Sequence, residues 1–286
     1  MQGLIPTSAR IRAFWRRYDI AIVGSVIFAF ILLITIFASI VSPYDPMARN
    51  IKNRFATPSA ENPFGTDQLG RDVFSRVVHG GRPILSASFS AVLSALAAGT
   101  TIGVAGGYLG GRLDTALMRL MDVMLSFPSI LLAILIVATL GVGLLNVTVA
   151  IGFAMVPVFA RLARSIVITL VYEEYVAAAR SLGASDIHII WKHILPNMIP
   201  PIIVQASAML AVAIGTASAL NFIGLGVEPG TPDWGMMVAD GQRLIFDAPH
   251  VPLFPGLVIT ITVLSVNYMG DGLRDHLDPK LRRQGT

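Results

Sequence analysis

The stretch Tyr175-Val-Ala-Ala-Ala-Arg-Ser-Leu-Gly183-Ala-Ser-Asp-Ile-His-Ile-Ile-Trp-Lys-His-Ile-Leu195-Pro196-Asn197 stands between two strongly apolar runs and decides what kind of molecule this is. Glu173 and Glu174 precede it, where negative charge suits the positive end of a helix macrodipole. Three consecutive alanines favour a helix over Tyr175–Leu182 and leave it a smooth surface. Gly183 then supplies a C-terminal turn, and Ser185 or Asp186 can N-cap a second helix. Ile187, Ile190, Trp191 and Ile194 recur at i, i+3, i+4 and i+7, which predicts an amphipathic face. Pro196 is expected to stop this short helix before the next apolar run begins. A bracket so structured, between membrane spans, suits a partner that grips a helix in a groove. An interfacial helix lying on lipid headgroups is the alternative.

The rest of the chain is built for lipid. Of its 286 residues 54% are hydrophobic and only 13% are charged, against roughly 25% charged in soluble domains. The mean hydropathy is +0.71. The net charge of +4 comes from scattered basic residues, a pattern that fits loops facing an anionic leaflet and not a nucleic-acid surface. With no cysteine, disulfides, thiol catalysis and cysteine-ligated metals are excluded.

A helix needs about 20 apolar residues to cross the hydrocarbon. Six candidate spans satisfy or approach this: Ile20–Val41, Ile84–Tyr108, Ala116–Val142, Leu144–Arg161, Ile199–Leu225 and Leu253–Met269. The first is too long for a cleaved signal peptide and reads as a retained helix. The third starts amphipathically, with Arg119 and Asp122, and Pro128 is expected to kink it. With both termini inside, fourteen of the 21 Lys and Arg residues fall on the inner side. They include Arg10, Arg12, Arg16 and Arg17 before the first span and Lys280, Arg282 and Arg283 after the last. That balance favours cytoplasmic N- and C-termini. The expected architecture is an all-α membrane protein in two parts. Residues 1–83 hold the N-terminal segment, the first span and an external loop; residues 84–286 form the membrane core, with the bracket inside an inner loop at 162–198.

Two sets of residues within the spans invite a function. Gly99, Gly103, Gly107 and Gly111 recur every fourth position and let another backbone approach closely. They suit either a subunit or gate interface or ordinary packing within the chain. Gln205, Ser207, Thr216, Ser218 and Asn221 place polar groups at membrane depth, where each must find a partner or a wet cavity. They could line a path for a polar solute or bond between helices, and Asn267 poses the same question. Charged groups are absent from the expected mid-membrane positions, which argues against a proton relay.

Enzyme signatures are missing. No Gly-Lys dipeptide exists, so the chain lacks a phosphate-binding loop of the G-x-x-x-x-G-K-[ST] kind. The five histidines form no H-E-x-x-H pattern, and no G-x-S-x-G elbow offers a serine nucleophile. No catalytic, cofactor or metal residue is expected.

The bracket resembles the cytoplasmic loop of binding-protein-dependent ABC import permeases. Its pattern there is Glu-Ala-Ala, three residues, Gly, nine residues, then Ile-x-Leu-Pro. Ala178 and Ala179 hold the alanine positions and Gly183, Leu195 and Pro196 keep the spacing. Ala177 replaces the glutamate and His193 the isoleucine. Three further stretches are similar to the C-type subunits of the dipeptide/oligopeptide group: Phe64-Gly-Thr-Asp67-Gln-Leu-Gly70-Arg71-Asp72-Val-Phe-Ser-Arg76, Trp234-Gly-Met-Met, and Met269-Gly-Asp271-Gly-Leu-Arg274-Asp275-His-Leu-Asp278-Pro279. The likeness runs from about Ile20 to Lys280.

That resemblance implies a type I ABC importer permease fold in a bacterial or archaeal cell membrane. It implies a second, related permease subunit, two ATP-binding subunits carrying ATP and Mg, a solute-binding protein outside, and surrounding lipid. It places the ATPase contact at Ala178, Ala179, Gly183, Ala184, Ser185 and Asp186, with Leu195 and Pro196 closing the loop. Peptides are the implied solutes; the same group carries nickel chelates, glutathione, opines and oligosaccharides. A secondary transporter, an intramembrane enzyme and an inert scaffold are the competing classes. The first needs intramembrane carboxylates and the second a nucleophile with its base, and neither is found.

Overall fold

The computed structural model describes the backbone of residues 7–277 and the side chains of residues 20–277. The arginines at 10, 12, 16 and 17 and the tail with Asp278, Pro279, Lys280, Arg282 and Arg283 lie outside the described side chains. Helix follows helix, and no strand occurs among the described residues. In order they are α1 Thr7–Ile36, α2 Ala38–Val41, α3 Val73–Leu109, α4 Gly111–Leu125, α5 Ser129–Leu140, α6 Leu144–Val171, α7 Glu174–Ser181, α8 Asp186–Ile189, α9 Leu195–Phe222, α10 Trp234–Gly241 and α11 His250–Leu277.

Among the described residues, four helical segments are long and apolar enough to cross a membrane: α3, α6, the run Asp186–Phe222 that ends with α9, and α11. A fifth follows if α4 and α5 count as one broken span. The apolar part of α1, Ile20–Ile36, is shorter. Pro128 does more than kink the third span. The helix stops at Leu125 and resumes at Ser129, and α4 and α5 meet at 90°. Pro128 has no N–H for the ladder and holds an extended backbone, ψ 128°, so the helix cannot pass through it. α4 therefore runs off at an angle to the bundle. It is fastened there by Asp114 to Arg164, at 2.5 and 2.6 Å, and by Asp122 to Arg161 of α6.

The core lies where α3, α6, α9 and α11 meet, around Ile84, Ala91, Ile151, Phe159, Ile214 and Val266. α3 packs most extensively along α6, and the glycine stripe is the reason. A Cβ at Gly99 would lie 2.6 Å from Phe159 Cβ, one at Gly103 2.4 Å from the Ala160 carbonyl oxygen, and one at Gly107 3.0 Å from Val167 Cβ. These three face α6 of the same chain, so their contact is intrachain packing. Gly111 does not belong with them. It has φ +62°, open space around it, and forms with Gly110 the turn between α3 and α4.

The end of the bundle opposite the bracket is closed by residues 42–72 and 223–249. Asp72 N-caps α3 through the Ser75 N–H, at 2.7 Å, and accepts from Asn62 Nδ2 at 2.9 Å. Arg71 pairs with Asp67 at 2.6 Å, and both are buried. Arg76, equally buried, donates to the carbonyls of Pro46 and Gly230. Trp234 is sealed inside and donates its indole N–H to Val77 O at 2.7 Å. Gly235 follows because a Cβ there would meet Ser218 O at 2.2 Å.

Asp233 stabilises this end and makes it sensitive to pH. Its carboxylate accepts from Asn221 Nδ2 at 2.7 Å and from the Met236 N–H at 3.1 Å. Burial pushes its pKa up to about 6, against the opposing pull of those hydrogen bonds. The folded protein thus keeps a proton that the unfolded chain releases near its ordinary value of 3.8. The resulting contribution to stability is complete below about pH 4 and is lost as pH rises through about 6, amounting to about 2–3 kcal/mol in all. The melting temperature of detergent-solubilised protein should fall across that window through this group. Asp233→Asn, which can still accept from Met236, should remove that part of the slope.

Candidate functional site

The bracket is two short helices joined by a turn that only glycine adopts without strain. α7 ends with Leu182 N–H bonded to Ala178 O at 3.0 Å and Ala184 N–H reaching back to Ala179 O at 3.1 Å. Between them Gly183 sits at φ +83°, the left-handed C-terminal position that glycine fills. Ser185 N-caps α8, its Oγ accepting from the His188 N–H. The chain therefore turns where the sequence said it would.

Beyond α8 the structure departs from the expected pattern in two respects. Pro196 does not stop a helix. It lies at the start of the α9 segment, directly after a π-helical turn, and the helical path runs on from Asp186 to Phe222. The path is continuous because Ile190–Ile194 forms a π-helical turn. That turn also breaks the expected register. Ile189 and Ile194 are fully buried, whereas Ile187 and Trp191 are 71% and 70% exposed. A wider turn of the i→i+5 kind shifts every later side chain, so a 3.6-residue pattern misassigns the face.

The inward side chains anchor the bracket. Val176, Ile189, Ile194 and Met198 join Val104 of α3 and Ala163 and Val167 of α6 in a second apolar cluster. One polar tether adds to it. The Tyr108 hydroxyl, at the end of α3, donates to Asp186 Oδ1 at 2.6 Å and accepts from Arg180 Nη2 at 3.4 Å. The outward side is different. Leu182 is 88% exposed and joins Ile187 and Trp191 on the surface, while Ala178, Gly183, Ser185 and Asp186 are exposed and Ala179 and Ala184 half-buried. Small residues flanked by bare apolar ones make a surface that a partner can cover.

The polar residues of α9 divide. Gln205 and Ser207 line a cleft of about 750 Å³ between α9 and α11, together with Asn197, Asn267, Asp271 and Arg274. This cleft opens beside the bracket, since Pro196 and Pro200 line it too. Thr216 and Ser218 bond within the helix, to Val212 O and Ile214 O, both at 2.8 Å, as Ser207 does to Val204 O. Asn221 is fully buried on Asp233 at the far end. Neither Ser218 nor Asn221 faces the cleft. Leu195 lies half-buried next to the second cluster and Pro196 is exposed. Tyr108 and the Asp114–Arg164 pair escape a reading of the sequence, because their partners are 78 and 50 residues away.

A family model described as "Binding-protein-dependent transport system inner membrane component" matches residues 99–283. A second, "N-terminal TM domain of oligopeptide transport permease C", matches residues 10–58. The chain is 48% identical to the dipeptide transport system permease protein DppC of Alkalihalophilus pseudofirmus, over 93% of this chain and 88% of that protein. It is 42% identical to the glutathione transport system permease protein GsiD of Pectobacterium atrosepticum, over 95% of this chain and 91% of that protein. Among solved structures, the MetNI methionine ABC transporter in inward-facing conformations shares the fold. The TM-score is 0.57 at 19% identity, covering 71% of this chain and 96% of that one.

Proposed function

This chain belongs to the family of binding-protein-dependent transport system inner membrane components, and from that premise we propose that it is one transmembrane half of an ATP-driven importer of di- and oligopeptides. The 48% identity to a dipeptide permease supports the peptide assignment. Glutathione, itself a small peptide, is the second reading, favoured by the likeness to a glutathione permease.

In this reading α1 is the first of six spans, both termini are cytoplasmic, and the bracket faces the cytoplasm. A related permease subunit supplies the other half of the pathway. Two ATPase subunits bind and hydrolyse ATP with Mg, and a solute-binding protein delivers the peptide from outside. The chain itself catalyses nothing. Its work is mechanical and follows from how the bracket is held. Ala178, Ala179, Gly183, Ala184, Ser185 and Asp186 present the docking surface, and Leu182, Ile187 and Trp191 enlarge it. When the ATPases close around nucleotide they displace that surface. The displacement passes through Val176, Ile189 and Ile194 into α3 and α6 and, with no break in the helix, into α9. Close-packed interiors transmit such shifts as rigid bodies. The bundle then exchanges inward-facing for outward-facing arrangements, with Gln205 and Ser207 beside the path.

The observation that carries the proposal is the bracket: firmly anchored on one side and apolar but uncovered on the other. Uptake of a labelled dipeptide into proteoliposomes tests it. The full set of subunits with ATP inside should accumulate peptide, and this chain alone should not. Unaided uptake by the chain would overturn the assignment. Tyr108→Phe, which removes the tether to Asp186, should lower ATP-driven uptake about threefold to tenfold with ATPase subunits still bound.

A further inference from the structure

α1 and α11 cross where glycines clear the way. A Cβ on Gly24 would lie 2.6 Å from Tyr268 Cβ, and one on Gly272 2.2 Å from Ala21 Cβ. Beside this crossing the helix surfaces part and leave two adjoining pockets that share Ile20 and Tyr268. The first, of about 550 Å³, is apolar, with Val23, Ile27, Ile261 and Leu264 along its walls. The second, of about 530 Å³, is walled by Ala21, Gly272, Asp271, Arg274 and Asp275. It lies at the bracket end of the bundle, since Asp271 and Arg274 also border the cleft that Pro196 lines.

The dimensions and chemistry are those of an amphiphile. Seven residues of α11 separate Ile261 from Tyr268 and seven more reach Asp275, about 10 Å each at helical rise. The two pockets together thus cover somewhat more than one leaflet of a hydrocarbon core about 30 Å thick. At the polar end no hydrogen bond or ion pair engages the side chains of Asp271, Arg274 or Asp275 among the described residues. Among the described residues the polar pocket holds one guanidinium beside two carboxylates, which matches a headgroup that carries both signs. Arginine suits a phosphate, and two carboxylates suit a group that is both cationic and able to donate hydrogen bonds. A quaternary ammonium lacks the N–H donors, and a purely anionic headgroup would meet the carboxylates unfavourably.

We propose that the groove between α1 and α11 holds one glycerophospholipid with a primary-ammonium headgroup, one of its two acyl chains on Ile20, Val23, Ile27, Ile261 and Leu264, its phosphate on Arg274 and its ammonium between Asp271 and Asp275. Such a lipid joins α1 to the core along a seam that the protein leaves unfilled. The site rests on the reading that α1 and α11 span the membrane, and does not depend on which solute is carried.

Native mass spectrometry of the purified, delipidated full-length chain tests it. The chain is titrated with phosphatidylethanolamine, phosphatidylcholine and phosphatidylglycerol of identical acyl composition. One phosphatidylethanolamine per chain should be retained at least about tenfold more tightly than either other lipid. Arg274→Gln and the double change Asp271→Asn with Asp275→Asn should each erase that preference. Val23→Trp, which fills the apolar pocket and alters no charge, should displace the lipid by a separate route, so that a folding defect in the headgroup variants cannot decide the outcome. Equal retention of the three lipids, tighter retention of phosphatidylglycerol, or a preference that survives all of these variants overturns the proposal.

Discussion

Gly183→Pro should abolish peptide uptake, lowering it by at least about a hundredfold, while the full-length chain still reaches the membrane. Proline holds φ near −65°, and Gly183 stands at +83°, so the backbone must swing through the turn. The 3.0 Å bond from its N–H to Arg180 O is lost, and the 3.1 Å bond from Ala184 to Ala179 cannot keep its geometry. The local cost is about 3 kcal/mol or more. It falls on the angle between α7 and α8, while the apolar anchors Val176 and Ile189 are untouched. Gly183→Ala separates shape from residue identity. Nothing lies within 4 Å of a Cβ there, so alanine pays only the left-handed penalty of about 1–2 kcal/mol and should retain much of the uptake. The measurement is transport normalised to the amount of chain in the membrane. Normal transport by the proline variant would remove the bracket from the mechanism.

Gly103→Leu has the largest expected effect on stability. Its Cβ would sit 2.4 Å from the Ala160 carbonyl oxygen, 2.6 Å from Ala163 Cβ and 2.9 Å from the Arg164 nitrogen. Two of those three are backbone atoms of α6, which cannot rotate aside, so the helices must separate along their most extensive contact. Overpacking of this kind costs more than about 3 kcal/mol. It should appear as loss of the monodisperse peak on size exclusion and a lowered melting temperature. Gly111→Ala, in the same stripe by sequence, meets no neighbour and should cost only about 1–2 kcal/mol for its φ of +62°. Equal effects at the two sites would contradict the packing described for α3 and α6.

The contrast between those two glycines shows what could be read beforehand. A stripe of glycines announces that a helix is approached closely, but not by which partner or where the stripe ends. Gly111 fits the period and yet serves a turn, because its backbone conformation leaves no trace in the spacing. The bracket was more legible. Gly183 and Ser185 each carry local chemistry that fixes a turn or a cap, and local chemistry survives in sequence, whereas Pro196, read as a stop, lies inside a helical path that runs on to Phe222. Its register was not legible, since the π turn at Ile190–Ile194 is a backbone choice made to bury both Ile189 and Ile194. Polar residues in α9 were informative only as a group. Asn221 and Gln205 look alike in a hydropathy profile, yet one is spent on Asp233 and the other borders a cleft. The Tyr108–Asp186 tether and the 90° turn at Pro128 depend on which surfaces meet across the fold. A window of residues cannot carry that.

The π turn has a geometric consequence of its own. Each residue added to or removed from a helix turns everything beyond it by about 100°. The extra residue accommodated at Ile190–Ile194 therefore sets the azimuth at which Ile187 and Trp191 leave the axis of α9. A one-residue deletion there would keep the glycine turn but rotate α8 by about 100° against α9, carrying the exposed Ile187 and the buried anchor Ile189 out of their present directions together. The junction thus works as an indexing joint, fixing the azimuth of the bracket relative to α9.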